Sequence, residues 1–498
     1  MRKSAKAVIL VIVSIVGSIA LGLASAFSAA LAFGAVALIV PGTGTPNANI
    51  VTNYMEQARD RFLGGTACGP TGAGCPDANL HGIDYPASFW PLAIFPSWCR
   101  SGPDGCDKWD ESVGKGTTAL QNQLDFYLNT TSEKIVIFGY SQGGAVVSNV
   151  VANFGDLTPE ERARIQVVTI GGIQNPDGGL WPRLGFLGYI PILQVTLTPP
   201  MTPNTGVNYT SFGFQYDPVV NAPRYWGNAF AMLNAIAAFD NVHGYYLAPN
   251  GNNPSATLPY GYTDATLAEQ LDCSANPGNC RKDQYGNTYV TIPATSLPIM
   301  NLILSSTPSA LTPLVKPLVD LFSPVYRVLA DLGYDYSGNP SVPTPLSILP
   351  FNPFQNWVGV GFNLLAATGQ GIQAFLNDLG VGAAIAPVAP PPMTTSTLAA
   401  RTIAPQAVDP QADASDALAS VTALSSAKKS TPVATETDAV GVADVTEPAT
   451  DAAPAKSDAN TTSITTEPAT TEPAKTEPAK TEPTKAEPTK TEPVKTEP

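Results

Sequence analysis

The chain has 498 residues, of which only 13% are charged, while Pro numbers 48 and Gly 42. Lys and Arg total 26 against 40 Asp and Glu, a formal charge of -14. That balance excludes a nucleic-acid binder, which needs a basic face to neutralise phosphates. The length allows more than one average domain, but the composition is too uneven for the whole chain to share a core.

Arg2, Lys3 and Lys6 precede an uncharged stretch from Ala7 to Val40, whose first part ends at Ala24-Ser25-Ala26. A basic start, an apolar run and a small-residue end are the features of a secretory signal over residues 1–33. A helix from Ala7 to Ala26 would also span ~30 Å, the thickness of one bilayer core, so a retained signal anchor stands beside a cleaved signal. Either way the remainder is expected to be exported, to the cell envelope or beyond. Six Cys agree with an oxidising compartment: Cys68/Cys75, Cys99/Cys106 and Cys273/Cys280 fall in three equally spaced pairs within Gly-, Pro-, Asn- or Asp-rich segments. Three local disulfides are the economical reading. Zinc is the rival, but the chain has only His81 and His243 and no Cys-x-x-Cys pair, so no metal is expected.

Residues 34–290 read as alternating strands and helices. Val36–Val40 is an all-apolar run stopped by Pro41-Gly42, the pattern of a strand buried on both faces. Asn47–Phe62 predicts a helix with Ile50, Tyr54, Ala58 and Phe62 on one stripe, and Gly82–Phe89 a short strand broken by Pro86. Apolar residues recur through Leu120–Leu128. Ile135–Phe138 is the clearest strand, followed by a helix over Ala145–Phe154; Gln166–Ile173 and Tyr209–Tyr216 read as further strands. Strands separated by helices imply an α/β fold with a mostly parallel sheet. Residues 291–385 carry apolar segments at Ile299–Leu304, Leu311–Phe322 and Trp357–Leu365, read as helices completing the core or as a lid or acyl groove. Residues 386–498 contain no aromatic residue and end in pentads such as Thr471-Glu472-Pro473-Ala474-Lys475, a low-complexity tail expected to be disordered.

The chemistry centres on Gly139-Tyr140-Ser141-Gln142-Gly143, between a strand and a helix. Gly-x-Ser-x-Gly in that setting is a sharp turn that holds a serine hydroxyl above the sheet with a helix N-terminus behind it. Serine needs a base. In this architecture the order is serine, acid, histidine, which selects His243, 102 residues after Ser141, and rejects His81, read as a strand-entry residue packing near the site. Among the acids between them, Asp217 closes a strand before Pro218 and is favoured; Asp177 is the runner-up. Gln142, directly after the serine, and the loop Pro41-Gly42-Thr43-Gly44-Thr45 supply candidate oxyanion donors, with Gly42 and Thr43 in the loop. The same loop lacks the Gly-Lys-Ser/Thr ending of a nucleotide phosphate loop.

Pro41-Gly42-Thr43-Gly44, Gly82-Ile83-Asp84-Tyr85-Pro86-Ala87, Gly139-Tyr140-Ser141-Gln142-Gly143-Gly144, Gln215-Tyr216-Asp217-Pro218-Val219 and Val242-His243-Gly244-Tyr245-Tyr246, in that order, resemble the PE-PPE domain of mycobacteria and relatives. The resemblance implies a cutinase-like α/β-hydrolase fold, serine esterase or acyltransferase activity without a cofactor, and Ser141, Asp217 and His243 as the matching triad. The chain lacks the N-terminal PE or PPE helical domain and has an apolar segment instead, in which it is more similar to membrane-anchored members that acylate trehalose glycolipids. The implied partners are an acyl-ester lipid or glycolipid and the membrane or cell envelope. A cutinase-like lipase on exogenous esters and a catalytically silent envelope-binding protein are the alternatives.

Overall fold

A computed structural model describes residues 34–91, 106–197 and 199–381. The N-terminal segment, Cys99 and the tail lie outside the described residues, and with them the expectations for export and for the pentad repeats. The strands are β1 (Ala35–Val40), β2 (Leu80–Gly82), β3 (Lys134–Tyr140), β4 (Ile165–Ile170), β5 (Tyr189–Ile190), β6 (Val195–Thr196), β7 (Tyr209–Phe214), β8 (Cys280–Lys282) and β9 (Thr288–Ile292). The helices are α1 (Tyr54–Phe62), α2 (Trp109–Thr130), α3 (Gln142–Val151), α4 (Pro159–Arg162), α5 (Leu180–Leu184), α6 (Ala229–Asn241), α7 (Asp264–Leu271), α8 (Pro298–Ser306), α9 (Thr312–Asp331) and α10 (Trp357–Asp378).

Seven strands form one sheet in the order β2-β1-β3-β4-β7-β9-β8. All neighbours pair in parallel except β8 and β9. Every residue of β1 is buried, as its unbroken apolar run requires. Its side chains alternate between two cores, because successive Cβ atoms leave opposite faces of the sheet. Val36, Leu38 and Val40 join Trp109, Leu120, Leu124 and Val146 on one side. Ala35, Ala37 and Ile39 join Tyr54, Phe62, Phe214 and Tyr246 on the other. The C-terminal ends of β1, β3, β4 and β7 therefore lie along one edge, where the site is built.

Several elements depart from the sequence reading. The helix expected over Asn47–Phe62 is broken at Asn53, which takes a left-handed conformation (φ 61°), and Ile50 is exposed rather than on the buried stripe. The strand expected over Gly82–Phe89 is instead Leu80–Gly82, and the chain after it is irregular, with Ala87 at φ 47°. His81 consequently sits on an edge strand beside Leu38, and its Nε2 meets Tyr127 Oη at 2.8 Å near the C-terminal end of α2. That places the imidazole toward the amino ends of the strands, away from Ser141, so His81 does not pack near the site. Strands β8 and β9 are additional. Asp283-Gln284-Tyr285-Gly286-Asn287 turns between them, and the β-branched run Thr288–Ile292 was the signal available for β9.

The apolar segments beyond residue 290 are helices: α8, α9, which continues through Pro317 and Pro324, and α10. Helix α6 packs on α8 and α9, and α9 on α10. Two of the three expected disulfides, Cys68–Cys75 and Cys273–Cys280, have both halves described and are closed. For the third, Cys99–Cys106, the exposed Cys106 just ahead of α2 is disulfide-bonded, and its expected partner Cys99 lies outside the described residues. Among the described residues, no cysteine is free, and no helix is long and apolar enough to cross a membrane.

Candidate active site

Strand β3 delivers Ser141 to the carboxyl edge of the sheet, and α3 begins at the next residue. Ser141 has φ 54° and ψ -114°, a conformation that costs a non-glycine residue about 1–3 kcal/mol and persists only where its surroundings impose it. Gly143 shows how tight the turn is: a Cβ there would stand 2.2 Å from the Val40 carbonyl oxygen, so only glycine lets the helix start this close to β1. The buried Gln142 side chain fastens the turn from below. Its Nε2 donates to Ser88 O at 2.8 Å, and Ser112 Oγ donates to its Oε1 at 3.2 Å.

His243 follows α6 in a short helical turn, and Asp217 lies just past β7. The structure brings these distant residues together. His243 Nε2 is 2.8 Å from Ser141 Oγ, and Nδ1 is 2.9 Å and 3.0 Å from the two Asp217 oxygens. Asp217 is fully buried, whereas the His243 side chain retains 13% of its exposure, so the imidazole is reachable from solvent. The arrangement can do what a poor nucleophile requires: Nε2 is placed to accept the serine proton, while the carboxylate fixes the tautomer with hydrogen on Nδ1.

Two further donors hold the carboxylate. Val219 N–H donates to Oδ1 at 2.8 Å, and Tyr246 Oη–H donates to Oδ2 at 2.6 Å while accepting from Phe214 N–H at 2.8 Å. Burial, reinforced by the Asp217 charge and the hydrogen bond to it, raises the Tyr246 hydroxyl well above its ordinary value, so it remains a donor throughout the neutral range. Tyr140 Oη donates to the His243 carbonyl and anchors the base from the other side. Sequence reasoning missed Tyr246: the tandem Tyr245-Tyr246 carries no local mark of which ring turns inward. It also missed Tyr216, which precedes the acid at φ 69° and donates to Asp331 Oδ1 of α9 at 2.5 Å.

The Pro41–Thr45 loop lies over the nucleophile turn. A Cβ on Gly42 would be 3.1 Å from Ser141 Cβ, and the Gly42 N–H is given to Tyr54 Oη at 3.3 Å. Gly42 thus leaves space, and the amides of Thr43 and of Gln142, the first residue of α3, remain as candidate donors. Tyr85 Oη donates to Pro41 O at 2.6 Å and Gly44 N–H to Ala87 O at 2.8 Å, holding the loop in place. Asp177 is elsewhere engaged. It is buried, bonded by Arg281 Nη1 at 2.7 Å and Thr344 Oγ1 at 2.5 Å, with Arg183 Nη1 at 3.5 Å. Its role in the structure is to pair two buried guanidinium groups. Among the described residues, no cluster of His, Cys, Asp or Glu could hold a metal ion.

A mostly parallel sheet flanked by helices, with a serine turn after a central strand and an acid and a histidine converging on it, defines an α/β-hydrolase fold. The chain belongs to the PE-PPE domain family, whose profile matches residues 76–335. It is similar to proteins of Mycobacterium tuberculosis, three of them as follows. PE family protein PE3 is 33% identical over 281 residues, covering 55% of this chain and 53% of the relative. Esterase PE16 is 27% identical over 361 residues, 69% of this chain and 58% of the relative. SL1278 acyltransferase Chp1 is 27% identical over 292 residues, 57% and 65%. The chain thus spans about half to two thirds of the length of these relatives. Among solved structures, a cutinase-like protein from Cryptococcus sp. aligns at 14% identity over 38% of this chain and 79% of that one, with a TM-score of 0.24.

Proposed function

We propose that the chain is an exported serine esterase or acyltransferase acting on acyl esters of cell-envelope glycolipids. The observation that carries the reading is the continuous hydrogen-bonded series Ser141–His243–Asp217, with the serine held in a strained turn at a helix N-terminus. Ser141 Oγ attacks the ester carbonyl as His243 Nε2 takes its proton, and the protonated ring is stabilised by Asp217. Negative charge on the carbonyl oxygen is met by the amides of Gln142 and Thr43. Collapse of the tetrahedral species expels the alcohol, which receives the proton from His243 and leaves an acyl-Ser141 ester. Water or a sugar hydroxyl, deprotonated by the same imidazole, then accepts the acyl group and restores the serine.

The similarity to an esterase and to an acyltransferase supports this two-step reading, since both outcomes share the acyl-enzyme. The uncharged segment from Ala7 supports export and, as the feature in which the chain is more similar to membrane-anchored glycolipid-acylating members, a glycolipid ester over a soluble exogenous one. A fluorophosphonate probe tests the first step: it should label the full chain at Ser141 and fail on Ser141→Ala. Labelling at another serine, or ester turnover undiminished in Ser141→Ala, would overturn the assignment. Incubating the acyl-enzyme with water alone or with trehalose esters, and reading the products by mass, separates hydrolysis from transfer.

A further inference from the structure

Helices α6, α9 and α10 leave an unusual amount of apolar surface in water. Ile236 and Phe239 of α6 are exposed by 61% and 52%, Leu314 and Phe322 of α9 by 69% and 59%, and Phe362 and Leu365 of α10 by 67% and 72%. Each pair recurs at helical spacing and so marks a stripe rather than scattered positions. The helices carrying them pack in sequence, α6 on α9 and α9 on α10. The approach of α10 to α9 is close: a Cβ on Gly371 would stand 2.0 Å from the Leu321 carbonyl oxygen. From Trp357 to Asn377, α10 contains no charged residue. The charges that face it, Lys316 and Asp320 of α9, are gathered with Asp378 in one cluster at its C-terminal end. Single exposed apolar side chains are ordinary on soluble proteins, whereas stripes on three adjoining helices mark a surface that meets something apolar.

The position of the face decides what that is. Phe239 stands with its ring 6.3 Å from the His243 ring, so the α6 stripe runs up to the proposed base. A protein partner, a second copy of this chain or the chain's own Ala7–Ala26 segment seated there would cover the imidazole and stop turnover. An aggregated lipid is the occupant that leaves the site working, because it is both the surface and the source of the ester. We propose that α6, α9 and α10 form a lipid-docking face that lays the site against the surface of a lipid aggregate, with the polar Lys316–Asp320–Asp378 cluster at its rim. The proposal rests on the serine esterase or acyltransferase reading of the site and adds the state in which the substrate is taken. The attraction is apolar, so it is insensitive to salt and to lipid charge.

The test compares two full-length proteins that share the same N-terminal segment. Ser141→Ala and Ser141→Ala/Phe362→Glu/Leu365→Glu are floated with phosphatidylcholine vesicles at 0.1 M and 1 M salt. Turnover of a water-soluble butyrate ester and of a vesicle-borne acyl ester is measured for the chain with Ser141 restored. The expected result is at least a tenfold loss of vesicle partitioning at both salt concentrations and at least a tenfold fall in the ratio of vesicle-borne to soluble turnover. Equal partitioning of the two proteins overturns the proposal, as does a self-associated chain that the substitutions convert to monomer without changing the turnover ratio. Should the double substitution prevent folding, Leu314→Glu on the neighbouring stripe reads the same ratio. Soluble-ester turnover that survives Ser141→Ala refutes the site assignment instead, and flotation, read without catalysis, still decides the docking face.

Discussion

Replacing Tyr246 by Phe removes one oxygen from the centre of the molecule and tests how the acid is held. The Tyr246 hydroxyl bridges Phe214 N–H and Asp217 Oδ2 at 2.8 Å and 2.6 Å, and the ring is fully buried. A hydrogen bond to a charged group contributes about 1.5–3 kcal/mol, and a buried backbone donor left without an acceptor costs about 1–3 kcal/mol. Partial relaxation brings the expected loss of stability to about 2–4 kcal/mol. The effect on catalysis is smaller, because Asp217 keeps Val219 N–H and the imidazole. The value of kcat/KM for a soluble p-nitrophenyl ester should fall by about 3- to 30-fold, equivalent to roughly 0.7–2 kcal/mol. Urea unfolding supplies the stability and initial-rate kinetics supply the catalytic loss. Unchanged kcat/KM together with unchanged stability would show that the tyrosine does not support Asp217 in solution.

Asp177→Asn should behave in the opposite manner. It leaves the Arg183 and Arg281 guanidinium groups without their carboxylate, at a cost of about 3–5 kcal/mol, yet kcat/KM of the folded fraction should stay within about threefold of wild type. Replacing Cys273 and Cys280 by Ser opens a short loop and should lower stability by about 2–3 kcal/mol in denaturant titration, with the esterase rate unchanged at 25 °C. His81 is held below its ordinary value chiefly by burial, opposed by the charge of Glu133. On acidification through about pH 6.5 the unfolded chain takes a proton that the folded chain resists, so stability falls. His81→Gln should flatten the decline of Tm between pH 7 and pH 5, and an identical decline in both proteins would remove His81 as its source.

The part of the site that lies in one stretch of chain could be read from that stretch. Gly139–Gly143 shows its own turn because sterics demand glycine on either side of the serine, and the order of serine, acid and histidine leaves a single base among two. Asp217 was accessible because a strand followed by Pro218 places a carboxylate at the sheet edge. Equal spacing in turn-rich segments was enough for Cys68–Cys75 and Cys273–Cys280, since a short loop needs only to curl back on itself; for Cys106 the described residues give its bonded state and not its partner. What could not be read depends on the fold closing. Tyr246 and Tyr245 are chemically equal until β7 supplies Phe214 N–H to one of them. Asp331 lies 115 residues from the Tyr216 hydroxyl it accepts, and nothing local links the two. The three-residue strand containing His81 has no apolar alternation to betray it, and its pairing with β1 places the imidazole on the edge strand, out of reach of the serine.

Tyr216 carries a consequence for where the working unit ends. Its backbone is left-handed immediately before the acid, and its hydroxyl is tied to Asp331 near the end of α9. A fragment stopping at residue 290 would keep Ser141, His243 and Asp217, the proposed triad, and still lose the residue that secures the bend presenting Asp217. Helix α9 therefore acts as a keystone set last into an arch whose other stones are already in place: the bend at the proposed acid is tied down only by a residue that follows the whole proposed triad in the chain.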